Sequence, residues 1–209
     1  MSAPAALYFS PLACSFASHL VVRETGLTVR LVPVSLRRQQ LDDGAAFRDL
    51  APKGQVPVLQ FDDGRLLTEN MAVLLALARS GGMGLPEEGT ATRDELLEWL
   101  SFVGTEIHKL CLYPMFQRDA PDAVKEWARA RLASRLRTVA DRLSERPYLV
   151  SDAFTVADAY LVWALMLCEQ SGEGFQGVQG LDTYWARMKS RPAYGATLAH
   201  EARLYPTLA

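Results

Sequence analysis

Residues 6–34 read ALYFSPLACSFASHLVVRETGLTVRLVPV, and the alternation of pattern within them decides the architecture. Ala6–Phe9 is a short β-like run that Pro11 breaks, because a proline ring removes the amide a strand ladder needs. Phe16, Ala17, Leu20 and Val21 then recur at helical spacing until Gly26, a residue that commonly ends helices. Val29–Val34 is apolar again and rich in β-branched residues, which predicts a second strand. Strand, helix and strand at this length form a βαβ unit, whose strands pair in parallel through a right-handed crossover.

The pattern continues outward from that unit. A looser segment with Phe47 and Leu50 leads to Gly54. Val56–Leu59 and Arg65–Thr68 flank Asp62-Asp63-Gly64, where Asp-Gly signals a hairpin. Glu69–Arg79 is rich in Met, Leu and Ala and predicts a helix. The order βαβ–α–ββ–α is the thioredoxin-like arrangement, and it ends near Ser80. Residues 81–92, opening with Gly81-Gly82-Met83-Gly84-Leu85-Pro86, read as a linker. Beyond it Asp94–Leu112, Ala123–Leu143, Val156–Cys168 and Thr183–Ser190 are periodic segments between Pro or Gly breaks. The expected organisation is an α/β domain over 1–80 and an all-helical domain over 93–209, with no internal repeat.

Composition narrows the function classes. The 209 residues are 49% hydrophobic and 22% charged, an ordinary globular balance. A net charge of -2 offers no general attraction to a phosphate backbone, so nucleic acid is not an expected partner. Arg129, Arg131, Arg135 and Arg137 alternate with Trp127, Leu132, Leu136, Val139 and Leu143, which reads as the wet face of an amphipathic helix. The apolar stretches are too short and interrupted to span a bilayer. Cys14, Cys111 and Cys168 are odd in number and widely spaced, and the start of the chain lacks the pattern of a secretory signal. A reducing cytoplasm is the expected setting. Three scattered histidines and no Cys-x-x-Cys pair give metal binding no starting point.

Three positions carry candidate chemistry, each with two readings. Cys14 stands where the loop after the first strand enters the first helix, and backbone N–H groups and the helix dipole there favour a thiolate. It can equally be a small core residue. Val56-Pro57 opens a strand, either through a cis bond that presents the Val56 backbone to an extended peptide or as a trans proline at a sheet edge. Glu69-Asn70 opens a helix, suiting either the zwitterionic end of an amino acid or plain capping by Asn.

Taken together, the order of these signals resembles the cytosolic glutathione transferases, and most closely the bacterial beta class. The resemblance spans nearly the whole chain. It rests on Ala13-Cys14-Ser15, Pro52-Lys53-Gly54-Gln55-Val56-Pro57, Asp62-Asp63-Gly64 with Leu67-Thr68-Glu69, Glu98-Trp99-Leu100 with Glu106-Ile107-His108-Lys109, and Phe154–Tyr160. It implies that Cys14 sits beside the glutathione sulfur and can form a mixed disulfide with it. Val56 would pair its backbone with the cysteinyl unit, Pro57 would be cis, and Glu69 and Asn70 would hold the γ-glutamyl group. His108 and Lys109 would reach the thiol and the glycine end, and Glu106 and Ser101 would reach the ligand from a partner subunit. Ala13 and Leu36 complete the implied contacts. Two positions depart from the family pattern: Gln39, beside Arg38, stands where a Lys often binds the glycine carboxylate, and Ser101 replaces a common Asn. Thr155–Asp158 is a variant capping box that serves folding.

The resemblance implies a detoxifying homodimeric transferase that uses glutathione as co-substrate, binds no tight cofactor and offers an apolar pocket to a small electrophile. Trp99, Phe102, Tyr113, Phe116 and Trp163 read as core or cleft wall. Because Tyr8 lies too early, in the strand, and Cys14 holds the likely thiol-facing position, thiol transfer or reduction is expected to exceed conjugation. Dehalogenation, ether cleavage and isomerisation are alternatives on the same fold, as is a non-catalytic binding protein.

Overall fold

A computed structural model describes residues 2–173, 175 and 178–208. The chain divides into two compact units, Met1–Leu85 with Arg191–Ala209, and Pro86–Ser190.

In the first unit, β1 (Pro4–Phe9), β2 (Arg30–Ser35), β3 (Gln40–Leu41), β4 (Val58–Phe61) and β5 (Leu66–Thr68) form one sheet in the order β3-β2-β1-β4-β5. β1 and β2 are parallel, with Leu7 opposite Leu31, as the βαβ reading requires; β4 runs antiparallel to both β1 and β5. The period of two along β1 sorts its side chains between two cores. Ala6 and Tyr8 join Val32, Val34, Val58 and Phe47, the last from α2 (Phe47–Leu50). Phe9 turns to the opposite face, where its ring lies 5.2 Å from that of His19 on α1 (Phe16–Thr25). α1 packs there against α3 (Asn70–Ser80). Gly26 ends α1 at φ 67, donating its N–H to Arg23, a conformation that would strain a residue with a β-carbon.

Strand β3 was not foreseen, because two polar-flanked residues carry no periodic signal. Nor was the last helix, α9 (Pro192–Leu208). Only Tyr194, Thr197 and Glu201 of α9 are buried, so its apolar stripe is too thin to read by spacing. The reading that ran the helical domain on to residue 209 also differs from the structure, which places this helix with the first unit. Arg191 donates from Nε and Nη2 to the two carboxylate oxygens of Glu24 at 2.7 Å each, and Arg38 Nη2 donates to Thr207 O. At the centre of the α1–α9 contact, His19 Nδ1 meets Glu201 Oε1 at 2.8 Å, both side chains fully buried.

The second unit contains α4 (Ala91–Phe102), which continues through a π-helical stretch, Val103–Leu112, into α5 (Tyr113–Phe116). α6 (Asp122–Glu145), α7 (Val156–Ser171) and α8 (Leu181–Lys189) follow. α6 buries Ala128, Leu132, Leu136, Val139 and Ala140 and exposes Arg129, Arg131 and Arg137 on its other face, as an amphipathic helix should. α7 is apolar nearly all round and correspondingly buried. Its start is held by Asp158, which accepts the Thr155 N–H at 2.9 Å and hydroxyl at 2.8 Å, the Leu149 N–H at 3.0 Å and the Tyr184 hydroxyl at 3.1 Å. Among the described residues, no helix is long and apolar enough to cross a membrane.

Two predictions follow from these buried groups. Asp158→Ala strands four buried donors and should lower the unfolding free energy by about 3 kcal/mol, read from urea denaturation; a loss below about 1 kcal/mol would contradict this account. For the α1–α9 pair, burial lowers His19 to about 3 and raises Glu201 to about 8. In the unfolded chain the ordinary values are 6.5 and 4.5. From pH 6.5 to 8 the folded state keeps a Glu201 proton that the unfolded chain has lost, so stability falls as pH rises. From pH 4.5 to 3 the unfolded chain holds a His19 proton that the folded state lacks, so stability falls as pH drops. Glu201→Gln keeps the hydrogen-bonding shape without the ionisation. Between pH 6.5 and 8 it should lose about 1–2 kcal/mol less than the parent, and equal losses would refute the assignment.

Candidate active site

The turn Ser10–Ser15 joins β1 to α1, and side chains determine its path. Ser15 is fully buried; its Oγ donates to Ser10 O at 3.2 Å and accepts the Ser10 N–H at 3.1 Å. Leu12 adopts φ 62, a left-handed conformation uncommon outside glycine, and its N–H is held by Glu201 Oε2 at 2.7 Å. Asn70 Nδ2 donates to the Cys14 carbonyl at 3.0 Å, while its Oδ1 accepts the Ser18 hydroxyl at 2.9 Å. Asn70 therefore ties the Cys14 turn and α1 to α3. Of the two readings of Glu69-Asn70, plain capping by Asn70 is not what the structure shows: the cap residue is Glu69, and Asn70 is the first helical residue with a largely buried side chain.

Cys14 sits one residue before Ser15, the N-cap of α1, in the region where the helix dipole favours a thiolate. It is the one partly exposed cysteine of the three; burial pushes Cys111 to about 11 and Cys168 to about 12, leaving both as thiols at neutral pH. The Cys14 thiol donates to the Val56 carbonyl at 3.4 Å. The Val56–Pro57 bond is cis, and β4 begins at the next residue. Ala13 and Leu36 pack against the core cluster that contains Val56. Tyr8 stays in β1, buried, with its hydroxyl donating to Gln60 Oε1 at 3.1 Å, so it is committed away from the thiol.

Glu69 stands at the mouth of α3 with φ 70 and ψ 121, a strained position of the kind found at ligand sites. Its carboxylate is solvent-open and accepts from Lys53 Nζ at 2.6 Å; the same ammonium donates to Thr68 Oγ1 at 3.0 Å. Lys53 was visible in the sequence as part of a motif, but nothing local marked it as a partner of Glu69. Gln39, also at positive φ (53), turns its Nε2 to Leu36 O at 2.8 Å and Gly54 O at 3.2 Å. Gly54 adopts φ 62, the left-handed conformation that favours glycine, while a β-carbon there would meet only the movable ends of the Gln39 and Arg48 side chains. The first unit thus brings Ala13, Cys14, Val56, Pro57, Glu69 and Asn70 together, with Leu36 and Gln39 on the adjoining turn.

The remaining expected residues belong to the second unit. Ser101 is exposed near the end of α4. Glu106, His108 and Lys109 share the π-helical stretch, a geometry often associated with functional sites. Glu106 Oε2 receives Arg135 Nη2 at 2.7 Å and Nε at 2.9 Å. Lys109 Nζ lies 4.7 Å from the centroid of the Tyr113 ring. His108 is buried; its Nδ1 is 2.7 Å from the Tyr160 hydroxyl and its ring meets Trp163 edge-on at 4.6 Å. Burial, reinforced by the Lys109 charge, lowers His108 to about 3 and keeps the imidazole neutral. Of the expected aromatic wall, Trp163 is buried, while Tyr113 and Phe116 are exposed.

Comparison with known proteins identifies the family. The description "Glutathione S-transferase, N-terminal domain" matches residues 13–80, and "Glutathione S-transferase, C-terminal domain" matches residues 103–192. The chain is 36% identical over 197 residues to glutathione S-transferase GstA of Escherichia coli O157:H7, covering 93% of this chain and 98% of that protein. A Sphingomonad glutathione S-transferase solved in complex with glutathione superposes with a TM-score of 0.88 at 37% identity, over 94% of this chain and 98% of the other. The bacterial beta-class enzyme of Sphingomonas chungbukensis does so with a TM-score of 0.88 at 35% identity, over 93% and 98%. The chain therefore belongs to the glutathione S-transferase family and is similar to its bacterial beta class.

Proposed function

We propose that this glutathione S-transferase lays glutathione against the cis Val56–Pro57 segment with its sulfur beside Cys14. The observation that carries the reading is the 3.4 Å contact between the Cys14 thiol and the Val56 carbonyl. A backbone group suited to pair with a cysteinyl residue is thereby already next to a protein thiol at a helix start. Glu69 would accept hydrogen bonds from the γ-glutamyl ammonium, and the opening turn of α3, begun by Asn70, would meet the α-carboxylate.

Thiol–disulfide exchange is the chemistry such an arrangement favours. A Cys14 thiolate attacks the glutathionyl sulfur of a mixed disulfide RS–SG, forming Cys14–S–SG and releasing RS⁻, which takes up a proton. A glutathione thiolate then attacks that bond, releasing glutathione disulfide and restoring the Cys14 thiolate. Conjugation to a small apolar electrophile uses the glutathione thiolate directly as nucleophile and is the lesser activity in this reading. His108 and Lys109 are assigned to the thiol and the glycine end, Ser101 and Glu106 to contacts made across a homodimer, and Leu36 and Gln39 to the edge of the ligand. A cytoplasmic setting, where glutathione is abundant and reduced, suits the chemistry.

Calorimetric titration with glutathione tests the site. The parent protein should bind, and Glu69→Ala should weaken binding by about 10- to 100-fold through loss of a charge-assisted hydrogen bond; an unchanged affinity would remove Glu69 from the site. Incubation with glutathione disulfide should add one glutathionyl group to the parent and none to Cys14→Ala, read by intact mass. Cys14→Ala should also reduce mixed disulfides no faster than background. Undiminished reduction by that variant would overturn the exchange mechanism.

A further inference from the structure

The Lys53–Glu69 pair is hard to account for by stability. Its side chains are 58% and 69% exposed, and exposed ion pairs contribute little to folding. It nevertheless stands on a residue held at φ 70, at the mouth of α3. The Lys53 ammonium also bridges two segments: Lys53 lies in the loop before β4, and Thr68, its second acceptor, closes β5. An ammonium carries three donors, and two are engaged by Glu69 Oε1 and Thr68 Oγ1. The third is directed from a side chain that is more than half exposed.

The ligand end proposed for this place carries opposite charges on one carbon, an α-ammonium and an α-carboxylate. A lone Glu69 carboxylate would attract the first and repel the second. Setting a lysine against the same carboxylate cancels the repulsion locally and supplies a donor beside the helix start. A carboxylate has enough lone pairs to keep Lys53 on one oxygen and accept the ligand ammonium on the other.

On the reading that glutathione occupies this site, we infer that Lys53 is a specificity-determining residue of the γ-glutamyl subsite: its third N–H donates to the ligand's α-carboxylate while Glu69 accepts from the α-ammonium. Lys53 thereby selects a ligand with a complete amino-acid zwitterion over one with an amine alone.

The test compares glutathione with 4-aminobutanoyl-cysteinylglycine, which keeps the ammonium and lacks the α-carboxylate. Both are titrated calorimetrically into the parent, Lys53→Met and Lys53→Arg, with thermal unfolding confirming that the exposed substitutions leave the fold intact. Lys53→Met should weaken glutathione about five- to tenfold and leave the analogue within about twofold, and Lys53→Arg should recover most of the glutathione affinity. Unchanged glutathione affinity in Lys53→Met, or equal weakening for both ligands, would overturn the inference while leaving the glutathione site standing. Tighter glutathione binding in Lys53→Met would overturn it too, making Lys53 only a counter-ion that the ligand displaces. If the parent itself bound no glutathione, the parent reading and this inference would fall together.

Discussion

The turn that carries Cys14 has no ladder of its own, and the hydrogen bond from the Asn70 amide to the Cys14 carbonyl is the tie that gives the site its shape. Asn70 is largely buried and spans from Ser18 to Cys14, so α3 cannot move against α1 without breaking a buried amide contact. Because Asn70 also begins α3, the same residue sets the distance between the thiol and the helix mouth where Glu69 stands. Glu201 completes the restraint from the other side by holding the Leu12 N–H, and Ser15 closes the turn on Ser10. Three side chains thus impose a backbone path that the turn residues alone would not adopt.

The charges of the protein divide according to solvent. Where acidic groups are buried, desolvation dominates: Glu201 is raised to about 8 and Asp158 is raised as well, and both are placed among hydrogen-bond donors. His19 and His108 are driven the other way, to about 3, and remain neutral. Each of these groups is hydrogen-bonded within the fold. At the mouth of α3 the opposite holds. Lys53 and Glu69 stay solvent-open, where a pair of charges adds little to stability and is available to a charged ligand.

Several elements were legible because their signals are local. The βαβ unit, the Asp62-Asp63-Gly64 hairpin and the Thr155–Asp158 start of α7 each rest on residues a few positions apart, and the structure shows all three. β3 and α9 were missed for the complementary reason: one is two residues long, and the other buries too few side chains for its period to show. Capping of α3 was one of two local readings of Asn70, and its amide instead ties Ser18 to Cys14. Gln39 was expected at the glycine end of the ligand, and its Nε2 is engaged with Leu36 and Gly54. Asn70 reaches partners 52 and 56 positions away, and Gln39 joins a neighbour 3 positions away to Gly54, 15 positions away, so the distant partners lay outside a local reading.

By itself the sequence determined the order of β1, α1, β2, α2, β4, β5 and α3, the helical character of the second unit, and the kinds of group available: a thiol at a helix start, a proline opening a strand, a carboxylate beside a helix mouth. Alternation, capping and turn chemistry are properties of neighbouring residues, so they survive in a linear reading. Only the tertiary structure decided which groups meet. Cys14 finds Val56 across 42 positions, Asn70 finds Cys14 across 56, and His19 finds Glu201 across 182. Such pairings form where packing brings distant backbone together and leaves buried donors and acceptors no water to turn to, and no spacing rule along the chain encodes that.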